Sequence, residues 1–242
     1  MKFVIGDIHG EITKLQLLIN FITNIDANTE FIFIGDYIDK GESSKRVLDY
    51  LLQLNDKYKC VFIEGNHEYQ WIKVNEENNV EEYLFKYGGR LTIDSFEGAN
   101  DVHKIQKIFL NTYKKIFSNL VSYWENDKYV ITHSGIPPKN YDKKLKDIEK
   151  SDFLFNRYEF IKFQKRYSNK IIIFGHTGFY KPYFDGVKIG LDTAACYLEN
   201  QPITSFCLDN EFFINSFNEK SNLSDINLNQ CPNIVRVKPW RI

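Results

Sequence analysis

The chain has 242 residues, a formal net charge of −1, 43% hydrophobic residues and four cysteines. Its length allows one sizeable core, and its near-neutral charge excludes a global electrostatic pull toward nucleic acid or anionic membrane. Cys60, Cys196, Cys207 and Cys231 lack any Cys-x-x-Cys spacing, so they read as reduced thiols rather than a zinc knuckle or redox pair.

The amino terminus becomes polar and histidine-bearing by residue 7, leaving no room for a cleavable signal. No stretch approaches the roughly 20 apolar residues of a bilayer span. A cytoplasmic protein with no membrane partner is the expectation. Residues 2–5, 30–34 and 59–63 are short β-branched or aromatic runs, each ending at a glycine-bearing motif, as expected for strands buried on both faces. Between them, Leu15, Leu18, Ile19 and Ile22, and then Val47, Leu48, Leu51 and Leu52, recur at helical spacing. Such alternation predicts a parallel sheet with right-handed crossovers, whose carboxyl-end loops converge.

Residues 66–120 are mostly polar and helix-like, interrupted at Tyr87-Gly88-Gly89, and predict a helical insertion over one side of that edge, with few core-sized apolar runs. His103 lies in this polar stretch and reads as solvated. Strand-like pieces follow at 121–123, 128–132, 171–174, 187–191, 203–208 and 211–217, with a hairpin turn at Asp209-Asn210. These predict a second sheet packed on the first. The Asn/Ser-rich span 216–231 reads as a mobile loop, and the basic tail 236–241 as a packed terminus. The chain shows no internal repeat and reads as one domain over 1–242.

Four of the five histidines fall in Gly6-Asp7-Ile8-His9-Gly10, Gly65-Asn66-His67-Glu68, Thr132-His133-Ser134-Gly135 and Gly175-His176-Thr177. A fifth motif, Gly35-Asp36-Tyr37-Ile38-Asp39-Lys40-Gly41, adds two carboxylates. A lone histidine beside glycine is usually a turn or surface residue, but five such motifs at the exits of apolar runs are hard to dismiss. Three imidazoles, two carboxylates and an amide oxygen suit a pair of borderline-hard divalent ions better than one structural zinc. His67 is then left for proton transfer. The inventory points to metal-assisted hydrolysis of a phosphate ester, in which the cations acidify a shared water for in-line attack.

In that order, these motifs resemble the calcineurin-like metallophosphoesterases, and within them the short bacterial and phage form of the phosphoprotein phosphatase branch. The resemblance runs from Asp7 to His176 and weakly on to Gly190-Leu191-Asp192-Thr193. It implies a four-layer α/β/β/α sandwich of two mixed sheets flanked by helices, with two divalent metal ions, manganese first and iron, zinc, cobalt or nickel as alternatives. Carried over by residue, Asp7 and His9 resemble ligands of the first metal, Asp36 the bridging carboxylate, and Asn66, His133 and His176 ligands of the second. A hydroxide bridging the two metals would be the nucleophile. His67 resembles the general acid and Asp39 its partner. Lys40 and Arg157 would grip the phosphate, Arg157 in preference to Arg166, because Lys165-Arg166 continues a solvated helical pattern. Three positions depart from the family pattern: Lys40 replaces an arginine and loses its bidentate fork, Gly178 stands where proline is usual, and Leu191-Asp192-Thr193-Ala194-Ala195 has alanine for a common glycine. All six metal positions are intact.

The branch contains serine/threonine protein phosphatases and symmetrical bis(5'-nucleosyl)-tetraphosphate hydrolases. Asp39 and Glu68 favour the phosphatase, acting on a phosphoprotein or a phosphorylated small molecule, because the nucleotide hydrolases typically lack both. The segment from Tyr87-Gly88-Gly89 to Thr92 and Ser95 also resembles an element of some bacterial protein phosphatases. A binding module that had lost its chemistry would lack a ligand or the acid, and none is missing. A nuclease would be expected to show a basic track with interleaved aromatics. Lys143, Lys144 and Lys146 lie among Asp142, Asp147 and Glu149, which reads instead as a mixed-charge helix, so no nucleic-acid partner is expected.

Overall fold

The computed structural model describes residues 1–73, 82, 85–99, 101–226 and 233–235. Strands β1 (Lys2–Ile5), β2 (Glu30–Phe33) and β3 (Lys59–Phe62) pair in parallel, with helices α1 (Ile12–Ile25) and α2 (Ser44–Lys57) as crossovers. Among the described residues, the helices that follow are α3 (Asn66–Lys73), α4 (Gly89–Asp94), α5 (Val102–Asn111) and α6 (Lys114–Phe117). A second sheet contains β4 (Tyr123–Glu125), β5 (Tyr129–Thr132), β6 (Ile171–Phe174), β7 (Tyr183–Phe184) and β8 (Lys188–Gly190) in the order β4-β5-β6-β8-β7. Helix α7 (Tyr158–Lys162) and three short 3-10 turns lie between β5 and β6.

Strands β9 (Thr204–Cys207), β10 (Phe212–Asn215) and β11 (Lys220–Asn222) complete the first sheet, in the order β11-β10-β9-β1-β2-β3. This corrects the expectation that 203–208 and 211–217 belong to the second sheet. The hairpin is where the sequence puts it, but β9 runs antiparallel to β1, with Val4 opposite Phe206, and covers what would otherwise be an open edge. Both sheets are mixed: β9 runs antiparallel to β1 in the first, and β4 and β7 run antiparallel to their neighbours in the second.

Alternation along the strands explains the layering. Phe3, Ile5, Phe31, Phe33, Phe212 and Ile214 point to α1, α2 and the α3–α6 region. Val4, Ile32, Phe206 and Phe213 point the other way, into a core shared with Ile131, Ile171, Ile173 and Ile189 of the second sheet. Val130, Ile172 and Phe174 face a third core containing Ile136, Phe153, Phe160 and Ile161. The result is a sandwich of two mixed sheets flanked by helices.

Several local expectations change. The 66–120 region supplies Trp71, Ile93, Phe96, Ile105, Phe109, Tyr113 and Ile116 to the first core, so its aromatics substitute for long apolar runs. The 121–123 piece is a single parallel bridge from Val121 to Ile63, the strand proper being β4. In the described part of the expected loop, 216–226, β11 and a 3-10 turn at Leu223–Asp225 form, the turn held by an Asn222/Asp225 capping box, while 227–231 lie outside the described residues. Near Lys143–Lys146 only a 3-10 turn, Leu145–Asp147, forms. Helix α7 stops at Lys162, so Lys165-Arg166 is not helical. His103 is exposed on α5. The expected packed tail, 236–241, lies outside the described residues, as does Cys231; Cys60, Cys196 and Cys207 are free thiols.

Candidate metal centre

Every motif sits just beyond a strand. Asp7 and His9 follow β1, Asp36 and Asp39 follow β2, and Asn66 and His67 open α3 after β3. His133 follows β5 and His176 follows β6. The strands end at these motifs, and the chain turns sharply there. His9, Asp36, Asp39, Lys40 and His176 all take positive φ, between 45° and 68°. Non-glycine residues rarely adopt that conformation, and such strain concentrates at functional sites. Two glycines make the convergence possible. A Cβ on Gly175 would lie 2.0 Å from Asp7 Oδ1, and one on Gly35 would meet Gly65 N at 2.6 Å and His133 Nδ1 at 2.9 Å.

Asp36 is the centre of the arrangement. The donor atoms of His9, Asp36 and His67 lie within 4.8 Å of one another, as do those of Asp36, His133 and His176, so the two groups share Asp36. His9 Nδ1 is 2.9 Å from the Ile38 carbonyl oxygen, and His133 Nδ1 is 2.9 Å from that of Ile34. A carbonyl only accepts, so each ring keeps its proton on Nδ1 and turns the Nε2 lone pair inward. Those Nε2 atoms lie 3.2 Å from Asp36 Oδ2 and 3.4 Å from Asp36 Oδ1 respectively. Burial, with Lys40 adding to it at His9, pushes both rings below the ordinary histidine range, so they are neutral near pH 7. Burial and then Arg157 push His176 lower still.

Lone pairs facing carboxylate oxygens repel unless a cation lies between them; at His9 the Lys40 ammonium, 2.8 Å from Nε2, partly meets that need. Asp7 makes the same point. Its Oδ2 accepts from His176 N at 3.0 Å, while its Oδ1 is buried without a hydrogen-bond partner. Burial, Asp192 and Asp36 drive its pKa well above the usual carboxylate range. Asn66 Oδ1 lies 3.0 Å from His133 Nε2. This donor set fits a pair of divalent cations sharing Asp36.

A second group stands beside it. His67 Nδ1 lies 2.7 Å from Asp39 Oδ2, and its Nε2 lies 3.9 Å from Asp36 Oδ2. Asp39 is fully buried and accepts further bonds from Trp71 Nε1 at 3.0 and 3.1 Å and from Thr92 Oγ1 at 2.6 Å. Sequence reasoning did not single out Trp71, and it named Thr92 only as part of a phosphatase-like element, not as a partner of Asp39. Trp71 carried a usable signal, since it stands one helical turn after His67 on α3. Thr92 had only the Gly88-Gly89 segment to mark it. There Gly88, at φ +94°, lets α4 approach until its carbonyl accepts from Lys40 N at 3.3 Å. Asp192, buried after β8 and acting on Asp7, was likewise legible only as a weak motif.

Glu68 lies beneath the site. Fully buried, it accepts from the backbone amides of Asp36 and Tyr37, each at 2.8 Å, and of Gly65 at 3.1 Å. Lys40 Nζ is 2.8 Å from His9 Nε2 and 4.9 Å from the centre of the Tyr197 ring. Arg157 is exposed at the rim, its Nη1 donating to the His176 carbonyl at 3.0 Å, whereas Arg166 is bonded to Gly186. The structure therefore gathers Asp7, His9, Asp36, Asp39, Lys40, Asn66, His67, His133 and His176 at one edge, with Arg157 at its border.

Comparison with known proteins identifies the family. A family model described as Calcineurin-like phosphoesterase matches residues 3–180, and the chain belongs to that family. It is 24% identical over 216 residues to a bis(5'-nucleosyl)-tetraphosphatase PrpE (asymmetrical) of Anoxybacillus flavithermus, covering 80% of this chain and 85% of that protein. It is 38% identical over 90 residues to the serine/threonine-protein phosphatase SIT4 of Candida albicans, covering 35% of this chain and 28% of that one. A solved structure of a cold-active protein tyrosine phosphatase superposes with a TM-score of 0.62 at 15% identity, covering 92% of this chain and 78% of that one, which supports the fold. Among the described residues no helix is long and apolar enough to cross a membrane.

Proposed function

We propose that the chain is a dinuclear metal-dependent phosphoric ester hydrolase acting on bis(5'-nucleosyl) tetraphosphates. The observation that carries the chemistry is the pair of neutral imidazoles whose Nε2 lone pairs converge on the two oxygens of Asp36. Asp7, His9 and Asp36 would hold one cation, and Asp36, Asn66, His133 and His176 the other. Manganese is the first expectation, since such donor sets accept several first-row metals and supply often decides. Bound there, two divalent cations would neutralise phosphoryl oxygens and lower the pKa of water.

The chain's own groups complete the reaction. Arg157 at the rim offers a planar fork to the phosphoryl oxygens, and Lys40 a point charge. Asp39 anchors His67 Nδ1 and leaves Nε2 to carry a proton to the departing oxygen. Trp71 and Thr92 fix Asp39, so the ring has one orientation.

The substrate reading rests on the extent of similarity. The relative named for tetraphosphate cleavage aligns over 80% of this chain, and the phosphatase relative over 35%. That relative's name specifies asymmetrical cleavage, whereas the family resemblance read from the sequence brought in the symmetrical hydrolases. Glu68 no longer weighs on the choice, because its carboxylate faces backbone amides and not substrate. A second reading, a serine/threonine protein phosphatase, is favoured by the His67/Asp39 dyad, since a serine or threonine alkoxide needs a proton far more than a nucleotide phosphate does.

The experiment compares the manganese-loaded protein on diadenosine tetraphosphate and on a phosphoserine/phosphothreonine peptide. Faster dinucleotide turnover yielding ATP and AMP is the expected result. Two equivalents of ADP would mean symmetrical cleavage. Faster peptide dephosphorylation would replace the nucleotide reading with the phosphatase.

A further inference from the structure

A cavity of about 590 Å³ lies at the same edge of the two sheets as the metal centre, and none of the groups above uses it. Its position follows from strand direction. The Gly6 amide, immediately before Asp7, donates to the Thr204 carbonyl at 2.9 Å, and Thr204 pairs with Asn215 on β10. Thr204 and Asn215 both line the cavity. Neighbouring strands are spaced about 4.8 Å apart, which puts β10 roughly 10 Å from the end of β1. On the other sheet the wall includes Thr193, next to Asp192, whose carboxylate acts on Asp7. A single loop, 192–203, thus runs from the metal centre to the cavity.

The lining has the chemistry of a nucleoside site. Tyr180 and Phe217 line it and are 48% and 45% exposed, so two large aromatic residues there are accessible to a ligand. Aromatic side chains stack on bases. Asn200 and Gln201 add amide groups suited to a base edge or ribose hydroxyl. Charges cancel: Lys181 and Lys220 are opposed by Glu219 and Asp225. A polyphosphate would demand excess cations, so the balanced lining favours the uncharged end of a nucleotide. The volume is within the range typical of small-molecule sites.

We propose that this cavity binds the distal nucleoside of a bis(5'-nucleosyl) polyphosphate while the metal centre holds the scissile phosphate. The inference rests on the dinucleotide reading above and deepens it: the phosphate chain spans the separation, and a phosphoserine side chain does not.

The test separates the two claims. Adenosine has no phosphate to engage a metal centre, so its binding to the full chain, followed by equilibrium dialysis with and without manganese, reports on the cavity. The wild-type protein should bind it in both conditions, and Tyr180→Ala and Phe217→Ala should each weaken binding at least tenfold. Both rings are half exposed, so neither substitution empties the core. No adenosine binding, or binding unchanged in both variants, would overturn the proposal. Turnover of diadenosine tetraphosphate is measured in parallel: adenosine binding that depends on Tyr180, in a protein that leaves the dinucleotide uncut, would keep the cavity and remove the substrate assignment.

Discussion

His67 and Glu68 are adjacent, both buried, and placed for opposite tasks. His67 presents Nε2 to the site with its ring tied to Asp39, whereas Glu68 gathers three backbone amides behind it. His67→Asn removes the proposed proton carrier, and general acid catalysis is worth about 10²–10⁴-fold when the leaving group is a strong base. The variant should therefore lose about that factor on an alkyl phosphate and much less on p-nitrophenyl phosphate, whose leaving group departs without help. Equal losses in kcat on the two esters would mean that the ring serves the metals instead. Glu68→Gln replaces an oxygen with an NH2 that faces N–H donors. It should lower stability by about 1–3 kcal/mol, seen as a lower urea midpoint with an unchanged slope. An unmoved midpoint would show that the carboxylate is not what joins the β2 and β3 loops.

Elements differ in how far the sequence disclosed them. Strands β1, β2 and β3 were legible because each is a short apolar run that ends at a glycine motif, and their parallel pairing brings those motifs together. Strands β9 and β10 were legible as a hairpin but not as members of the first sheet. Period-two alternation is the same whichever sheet a strand joins, and only the open edge of β1 decides it. The site behaved likewise: motif order and residue type marked Asp7, His9, Asp36, Asn66, His133 and His176 as candidates, but Thr92, named only within the Gly88-Gly89 element, reaches Asp39 through a tertiary contact spanning 53 positions, a partner no local pattern announces. Lys188 on β8 was equally hidden. It reads as a surface lysine, yet it is fully buried, with Nζ 2.7 Å from Asp185 and 2.9 Å from the Phe163 carbonyl. Burial raises the Asp185 pKa, but Lys188 outweighs it and the carboxyl ends below its usual range. A depressed carboxylate contributes stability that is present above its unfolded pKa of about 3.9 and lost as pH falls through the lower folded value. Asp185→Asn should cost about 3–5 kcal/mol at pH 7, because it strands a buried ammonium. It should also flatten the decline of Tm below about pH 4. A wild-type Tm at pH 7 would show that the pair does not hold the β7–β8 turn.

At the scale of the whole molecule, the site is a seam between the two sheets. The first sheet carries Asp7, His9, Asp36 and Asn66 on the loops after β1, β2 and β3, and the second carries His133 and His176 after β5 and β6. The interior faces are held by an apolar core from Val4, Ile32 and Phe206 to Ile131, Ile173 and Ile189, but at the open edge the facing groups are acceptors. Such groups repel one another unless cations lie between them, so metal binding should stabilise the packing of the two sheets as well as enable chemistry. A ligand bound only to the folded state at about 100 times its Kd adds about 2.7 kcal/mol. For a chain of this size each kcal/mol is worth about 2–4 °C. Titrating manganese into the chelator-treated protein should therefore raise Tm by several degrees, with the rise growing as concentration increases. Asp36→Asn should abolish most of that rise, because the substitution weakens the group shared by both clusters. His133→Ala should do the same from the opposite sheet, although no first-sheet group is changed. A manganese-dependent rise that survives Asp36→Asn would place the bound metal elsewhere and break the link between the seam and the reaction.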